Sequence, residues 1–379
     1  MSKKAYLLET EGAERIARML HEKSNGRVRL PDDRAFCDGK VRNLYRLLLT
    51  EDGRRLLSCA KTEEHFLSED YSDYENFVEL LYLLPSLVGS GYHSFVRLTL
   101  EYLFGCTELP SPQNADTLWR ASLPILESGG FDGLLSPFMR TRSLNATEWV
   151  YPSFERLKAY ESLDAYTVAY AESIQGAEIL WLDLSDLDFI SPDPYHANRG
   201  FSAVRAGNCD ARDRTYLASQ LLRVTGEICK TQDVPLVLSG DAPVSALRDF
   251  LRYLEKTDRR PRLFYMMPFD NERELERRYR VLADSGLTEV LSGILPSRLR
   301  CCCREVLTEA LRLSAMRYPL GRLVFIAEGS TAAEVRMEYE RFVRVLSNAF
   351  ACAVLRSEIS ESDAVAVGET ILTAAALQI

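Results

Sequence analysis

The sequence has few of the residues on which metal sites most often depend. It contains only four histidines, and none of them is paired as H-x-H or H-x3-H. Its nine cysteines form no C-x-x-C pair, which argues against the common zinc and dithiol redox motifs. Scattered thiols without a framework spacing are typical of a reducing compartment, so we expect a cytoplasmic protein.

Long apolar runs and a basic surface are also missing. No apolar run approaches the roughly 18 residues of a membrane-spanning helix, and the first 15 residues lack the apolar core of a signal peptide. The net charge of −9 and the pI of about 5.3 disfavour nucleic acid as a partner. Glycine-rich phosphate loops, G-x-S-x-G and H-E-x-x-H are absent too, which weakens nucleotide-binding, serine hydrolase and zinc peptidase functions.

The chain does carry two kinds of periodic pattern. Residues 42–128 repeat apolar side chains at helical spacing, whereas beyond Gly130 short apolar runs alternate with amphipathic helices. The second pattern is typical of parallel strands covered by helices. The candidate strands number eight: Arg27–Leu30, Glu148–Tyr151, Tyr166–Tyr170, Glu178–Leu182, Pro235–Ser239, Arg262–Met267, Glu289–Ile294 and Leu323–Ala327.

Eight strands with helical crossovers predict an α/β fold, specifically a (β/α)8 barrel of the TIM type with an N-terminal helical insertion. A doubly wound open sheet is the alternative. We expect three parts: residues 1–40 with the first helix and strand, residues 41–130 as the helical insertion, and residues 131–379 as the remainder of the barrel.

Three segments resemble the uronate isomerases. Ser111–Trp119 fits the family pattern Ser-Pro-x-x-Ala-Asp-x-hydrophobic-Trp, and Tyr92-His93 followed by Phe104-Gly105 fits its Tyr-His pair and Phe-Gly stop. The C-terminal motif, Glu-x-Phe-x-Arg-x-Leu-x-Asn, falls on Glu340, Phe342, Arg344, Leu346 and Asn348. The resemblance implies a metal-dependent barrel of the amidohydrolase group, in which a divalent metal and acid–base groups interconvert aldose and ketose forms of a uronic acid.

The positions that carry this chemistry in the family differ here. A gap-free match places Arg27 and Arg29 on two histidine ligands, and arginine has no lone pair to give a metal. The family's second-loop His-Tyr falls on Gly53 and Arg54, and a strand histidine falls on Leu238. The family's last-strand Asp-x-Arg falls on Gly329 and Thr331. Its tryptophan-rich loop is replaced by the segment Pro296–Arg300. We therefore predict no bound cofactor, and no zinc or other divalent ion in particular.

The arginines suggest a different ligand site. Guanidinium groups and the free N–H groups of a helix start hold carboxylates and phosphates. We expect such a site at the barrel mouth, with His196 after the fourth predicted strand as a further contact. Its residues are Arg27, Arg29, Arg54, His196, Arg298, Arg300, Ser330 and Thr331. Pairing of these arginines with local acids such as Asp52 and Glu328 is the simpler explanation of the same residues.

Two further possibilities concern carboxylates. Asp183, Asp186 and Asp188 follow the fourth predicted strand and, with Glu328, are the set that could hold a magnesium-like ion. Without a metal, Glu328 is our candidate catalytic base, and Arg27 or Arg29 the group that polarises the sugar carbonyl.

The sequence therefore predicts a divergent uronate-isomerase-like protein of hexuronate metabolism that binds a sugar acid, with isomerase activity lost or altered. An active glucuronate or galacturonate isomerase, which would be an intramolecular oxidoreductase, is the first alternative. A non-catalytic regulatory or structural subunit is the second. The oligomeric state is open, a homo-oligomer included, and neither nucleic acid nor membrane is expected as a partner.

Overall fold

Helices make up the described N-terminal part of the chain. The computed structural model describes residues 3–24, 41, 43–60, 71–127, 142–266, 281, 284, 292–295, 323–326 and 331–373. The first helices are α1 (Lys3–Ser24), α2 (Leu44–Leu48), α3 (Glu51–Ala60), α4 (Asp73–Leu83), α5 (Gly91–Phe104) and α6 (Ala115–Glu127). Short 3-10 turns, Leu84–Leu87 and Pro112–Asn114, follow α4 and precede α6.

Local sequence explains where these helices begin and end. Ser72 opens α4 with a capping box, in which its hydroxyl accepts from the N–H of Glu75 and the Glu75 side chain accepts from the Ser72 N–H. Gly105 ends α5 in the left-handed conformation (φ 66°), which glycine adopts without the steric cost of a Cβ. Helices α2 to α6 share a hydrophobic core that includes Phe77 and Leu118.

The rest of the described chain alternates strands and helices. Six described strands form one parallel sheet in sequence order, which is the order of an α/β barrel. They are β1 (Ser143–Asn145), β2 (Ile179–Asp183), β3 (Leu236–Ser239), β4 (Leu263–Met266), β5 (Ser292–Leu295) and β6 (Leu323–Phe325). The described helices among and after them are α7 (Thr147–Val150), α8 (Phe154–Leu157), α9 (Leu163–Ser173), α10 (Pro194–Ala206), α11 (Ala211–Thr231), α12 (Val244–Lys256), α13 (Ala332–Leu355) and α14 (Glu361–Leu372).

The two faces of the sheet bury different side chains. One face, with Leu238 and Tyr265, packs in the main core with helix residues such as Phe250. The inner face forms a separate small cluster, composed of Ile179, Val237, Phe264, Val324 and Ile326. Because side chains alternate along a strand, these two clusters define which strand positions point inward.

Two strand predictions were wrong, and one strand was missed. Glu148–Tyr151 overlaps α7, and Tyr166–Tyr170 lies inside α9. In α9, Leu163, Tyr166 and Tyr170 are buried at helical spacing, so helical packing prevails over the β-propensity of the tyrosines. The missed strand, Ser143–Asn145, is too short to show an alternating pattern. The five later predicted strands overlap β2 to β6, and Arg27–Leu30 lies outside the described residues.

The C-terminal motif joins α13 to three other elements. Phe342 stacks on Phe325 of β6 with ring centroids 4.2 Å apart, and Arg344 pairs with Glu101 of α5 at 2.8 Å. Glu340 is fully buried against α1, where His21 Nε2 lies 3.2 Å from its carboxylate. Within the described ranges, no helix combines the length and apolarity needed to cross a bilayer.

Candidate functional site

The carboxyl ends of the strands form the candidate site, because loops at this end carry function in α/β barrels. We call the last inward-facing side chains of β2, β3 and β4 the carboxyl edge; they are Trp181, Asp183, Ser239 and Met266. Trp181 and Met266 pack on the inner cluster, while Asp183 is exposed. The edge thus offers one carboxylate and one hydroxyl above an apolar floor.

Asp183 is held in a tight turn. Its Oδ1 accepts from the N–H and the hydroxyl of Ser185, at 2.8 and 2.6 Å, and its own N–H donates to Thr147 Oγ1 at 2.9 Å. Gly240 passes so close that a Cβ at this residue would lie 2.3 Å from Asp183 Oδ1. Only glycine fits there, also because φ is +92°. The turn fixes the Asp183 side chain, and one of its two carboxylate oxygens is already hydrogen-bonded to Ser185.

The three aspartates do not form a metal site by themselves. Asp188 lies farther along the loop, where its Oδ2 accepts from Thr215 Oγ1 at 3.1 Å. Among the residues that the structure describes, no three His, Cys, Asp or Glu side chains come together as ligands for one ion. Glu328, the fourth member of the predicted set, lies outside the described residues.

His196 lies in the first turn of α10, held by local contacts. Its Nδ1 is 3.1 Å from Asp193 Oδ2, and its ring stacks on Tyr216 of α11 with centroids 4.6 Å apart. Hydrogen bonds from His196 lower the pKa of the Asp193 carboxyl. These contacts account for the orientation of the ring, and the predicted contact of His196 with a ligand stays a prediction.

The other two described histidines also lie on helices. His21, in the last turn of α1, contacts Glu340 and also approaches the hydroxyl of Tyr339, at 3.3 Å. His93 is half-buried at the start of α5, where burial and then the charge of Arg97 lower its pKa. The fourth histidine of the sequence, His65, lies outside the described residues. None of the described imidazoles is therefore on a strand end.

The structure argues against a histidine ligand at two positions where the resemblance expects one. Gly53 has no room for a side chain, and the side chain at Leu238 points away from the inner face of the sheet. A Cβ on Gly53 would lie 2.4 Å from Cε2 of the buried Tyr92 ring. Leu238 points into the main core between sheet and helices, so a ligand on β3 would have to occupy Val237 or Ser239 instead. The gap-free match is therefore one residue out of phase with the inner face at β3, and neither neighbour is a histidine.

Two of the predicted anion-binding residues are described on adjoining helices. Arg54 lies on α3 with an exposed side chain, and its N–H donates to Thr50 O at 2.9 Å. Thr331 is the N-cap of α13: its hydroxyl accepts from the N–H of Glu334 at 3.1 Å, and the Glu334 carboxylate accepts from the Thr331 N–H at 3.1 Å. Thr50, the residue before α3, and Glu334 of α13 line the same cavity of about 30 Å³.

Thr331 also has a structural role at the start of α13. Its capping box uses the Thr331 hydroxyl and places the Glu334 carboxylate at the helix start, where it competes with an anionic ligand. The remaining predicted site residues are Arg27, Arg29, Arg298, Arg300, Ser330 and Glu328. All six lie outside the described residues.

Sequence comparisons give partial matches. No family model matches the chain. A uronate isomerase from Clostridium perfringens is 25% identical over 134 residues, which is 33% of this chain and 28% of that protein. Another from Brachyspira hyodysenteriae is 27% identical over 101 residues, or 26% of this chain and 22% of the relative. The matched segments thus span less than a third of these relatives' length.

Structural comparisons cover nearly the whole chain. The uronate isomerase of Thermotoga maritima superposes with a TM-score of 0.71 at 14% identity, covering 96% of this chain and 97% of that one. The glucuronate isomerase of Caulobacter crescentus gives 0.71 at 14% identity, with 97% and 94% covered. The chain therefore resembles the uronate isomerases in fold along nearly its whole length and in sequence along a quarter to a third of it, which confirms the predicted α/β barrel fold class.

Proposed function

We propose that this protein acts in hexuronate metabolism as a divergent relative of the uronate isomerases. It binds a sugar acid such as glucuronate or galacturonate at the carboxyl end of the barrel, with isomerase activity lost or altered. The observation that carries the proposal is the placement of the histidines. Three of the four lie on helices in contacts of their own, and the described strand ends carry none.

A divalent metal is implied by the resemblance, but the described donor set does not fit it. Zinc in such sites is bound by imidazole nitrogens. Where the resemblance expects histidines, this chain has Gly53 and Leu238, which carry no metal-binding atom in the side chain. The carboxyl edge supplies one carboxylate, already bonded to Ser185. We therefore derive no reaction step through a metal.

A carboxylate-bearing sugar suits the arginines instead. A guanidinium binds a carboxylate through two parallel hydrogen bonds, and this geometry needs no metal. Arg54 is exposed on α3 and forms no ion pair with the side chains that the structure describes, as a ligand contact at this residue requires. Arg27, Arg29, Arg298, Arg300, Ser330, Thr331 and His196 complete the proposed site. The scattered thiols favour the cytoplasm as its location, and described Cys106, Cys209 and Cys229 form no disulfide.

Calorimetric titration with D-glucuronate in EDTA tests the proposal. We expect saturable binding by the wild type and binding about tenfold weaker in Arg54→Gln, since one charge-assisted hydrogen-bond pair is lost. Arg120→Gln is the matched control, because Arg120 lies exposed on α6 and pairs with Asp116 of the same helix. Binding that requires added metal, or that is equal in both variants, would contradict the proposed site.

A further inference from the structure

A second cavity includes Asp186 and Asp188 of the aspartate set but none of the carboxyl-edge side chains. Its volume is about 980 Å³, within the range of small-molecule pockets. It is bounded by the α7–α8 connection, the loop after β2, and the pair α10 and α11. Phe154, Val204 and Leu217 supply apolar lining, so the cavity combines an apolar wall with polar groups from three different elements.

Tyr151 is the most unusual of these polar groups. Its hydroxyl oxygen is buried and has no hydrogen-bond partner within the described part of the chain. Burial raises the pKa of this phenol, and the nearby charges of Asp186, Asp183 and Asp188 raise it further. The hydroxyl therefore stays protonated, with a donor and lone pairs that the described protein does not use.

Asp186 and Arg214 are charged residues of the cavity lining. Asp186 is exposed, and within the described ranges it forms no ion pair or hydrogen bond. Arg214, which also lines the cavity, donates from Nε to Cys209 Sγ at 3.0 Å, and this contact orients the guanidinium. Carboxylate acceptors, a guanidinium donor and a phenol thus surround one space.

We propose that this cavity binds a neutral sugar or other polyol. Hydroxyl groups both donate and accept, so a polyol matches carboxylate acceptors and guanidinium donors together, while its C–H groups contact the apolar wall. A sugar acid is disfavoured because two aspartates, Asp186 and Asp188, line the cavity against one arginine. The inference does not rest on the proposed sugar-acid site and goes beyond it.

Calorimetric titration with D-galactose and myo-inositol tests the proposal. We expect saturable binding by the wild type and about tenfold weaker binding in Asp186→Ala, which loses a charged acceptor and, being exposed, should leave the fold unchanged. Asp249→Ala is the matched control, since Asp249 is a half-exposed carboxylate on α12 outside the cavity. Its affinity should equal that of the wild type.

Alkylation locates the bound polyol. Cys209 lines the cavity and is partly exposed, whereas Cys106 is partly exposed on a different part of the chain. Saturating polyol should slow the reaction of iodoacetamide with Cys209 and leave Cys106 unchanged, as followed by peptide mass spectrometry. The proposal is overturned by lack of polyol binding, by unchanged affinity in Asp186→Ala, or by D-glucuronate or glucosamine binding in this cavity more tightly than the neutral sugars.

Discussion

The C-terminal motif and the positions on which the resemblance places metal ligands differ in how closely they follow the family pattern. At the motif, three of the residues that match the family pattern join α13 to other elements: Glu340 to α1, Phe342 to β6 and Arg344 to α5. On α3 and β3, Gly53 and Leu238 stand where the resemblance expects histidines. The proposed function explains this difference as a chain whose packing motif follows the family pattern while the positions of the family's chemistry do not.

The largest effect is expected at the motif. Phe342 is 3% exposed and stacks on Phe325, so Phe342→Ala should lower the free energy of unfolding by about 3–5 kcal/mol. Urea unfolding measures the change. Val168→Ala, on the exposed side of α9, serves as the control and should change stability by less than about 0.5 kcal/mol. A loss below about 1 kcal/mol for Phe342→Ala would show that the motif does not hold the barrel together.

Gly53 tests one of the positions where the resemblance expects a histidine. Gly53→Ala would bring a Cβ to 2.4 Å from the buried Tyr92 ring, and such overpacking should cost about 1–3 kcal/mol. In a Tyr92→Leu background the same change should cost less, because the ring is gone. Gly12→Ala is the control: its Cβ would lie at an ordinary 3.5 Å from Ala351, and alanine favours the helix. Equal costs in both Gly53 backgrounds would refute the steric argument.

Variants at two capping boxes distinguish a helix-capping role from a ligand-binding role. Thr331→Ala and Ser72→Ala each remove an N-cap and should each lower stability by about 1 kcal/mol. Only Thr331 belongs to the proposed sugar-acid site, so only Thr331→Ala should also weaken D-glucuronate binding in calorimetry. If both variants bind alike, Thr331 is a helix cap and nothing more.

The smallest effect is a pH dependence at His93. Burial lowers the pKa of this imidazole in the folded state, so the unfolded chain takes up the proton first as the pH falls. Stability should therefore be constant above the ordinary value of 6.5 and decline below it until the folded state is protonated too. Urea midpoints at several pH values, compared with His93→Gln, measure this. If His93→Gln shows the same decline in stability, a group other than His93 causes the pH dependence.

The fold could be predicted where apolar residues recur with a regular period along the sequence, and less well elsewhere. Buried strands β2 to β4 were recognisable as short apolar runs, and Ser-Pro or Phe-Gly pairs marked helix ends between residues 41 and 130. The strand predicted at Tyr166–Tyr170 was wrong because aromatic residues favour strands. The spacing of Tyr166 and Tyr170 from Leu163 fits a helix. A strand of three residues such as Ser143–Asn145 has no period to detect.

The site was less predictable because its contacts join distant residues. The ring of Tyr92 fills the space beside Gly53, and Tyr216 stacks on His196; neither contact follows from local sequence. The capping role of Thr331 did have a signal, since Glu334 follows it at capping-box spacing. The polyol cavity had none, because Tyr151, Asp186 and Arg214 come from three separate elements.

The most direct test of the central claim is proton NMR of D-glucuronate and D-galacturonate with the purified protein, first in EDTA and then with zinc or manganese. The account predicts that added metal produces no ketose. Ketose already present in EDTA would indicate the metal-free route through Glu328, which Glu328→Ala should abolish. Ketose that appears only after metal is added would contradict the account, because it would mean that the family's metal chemistry survives in this chain.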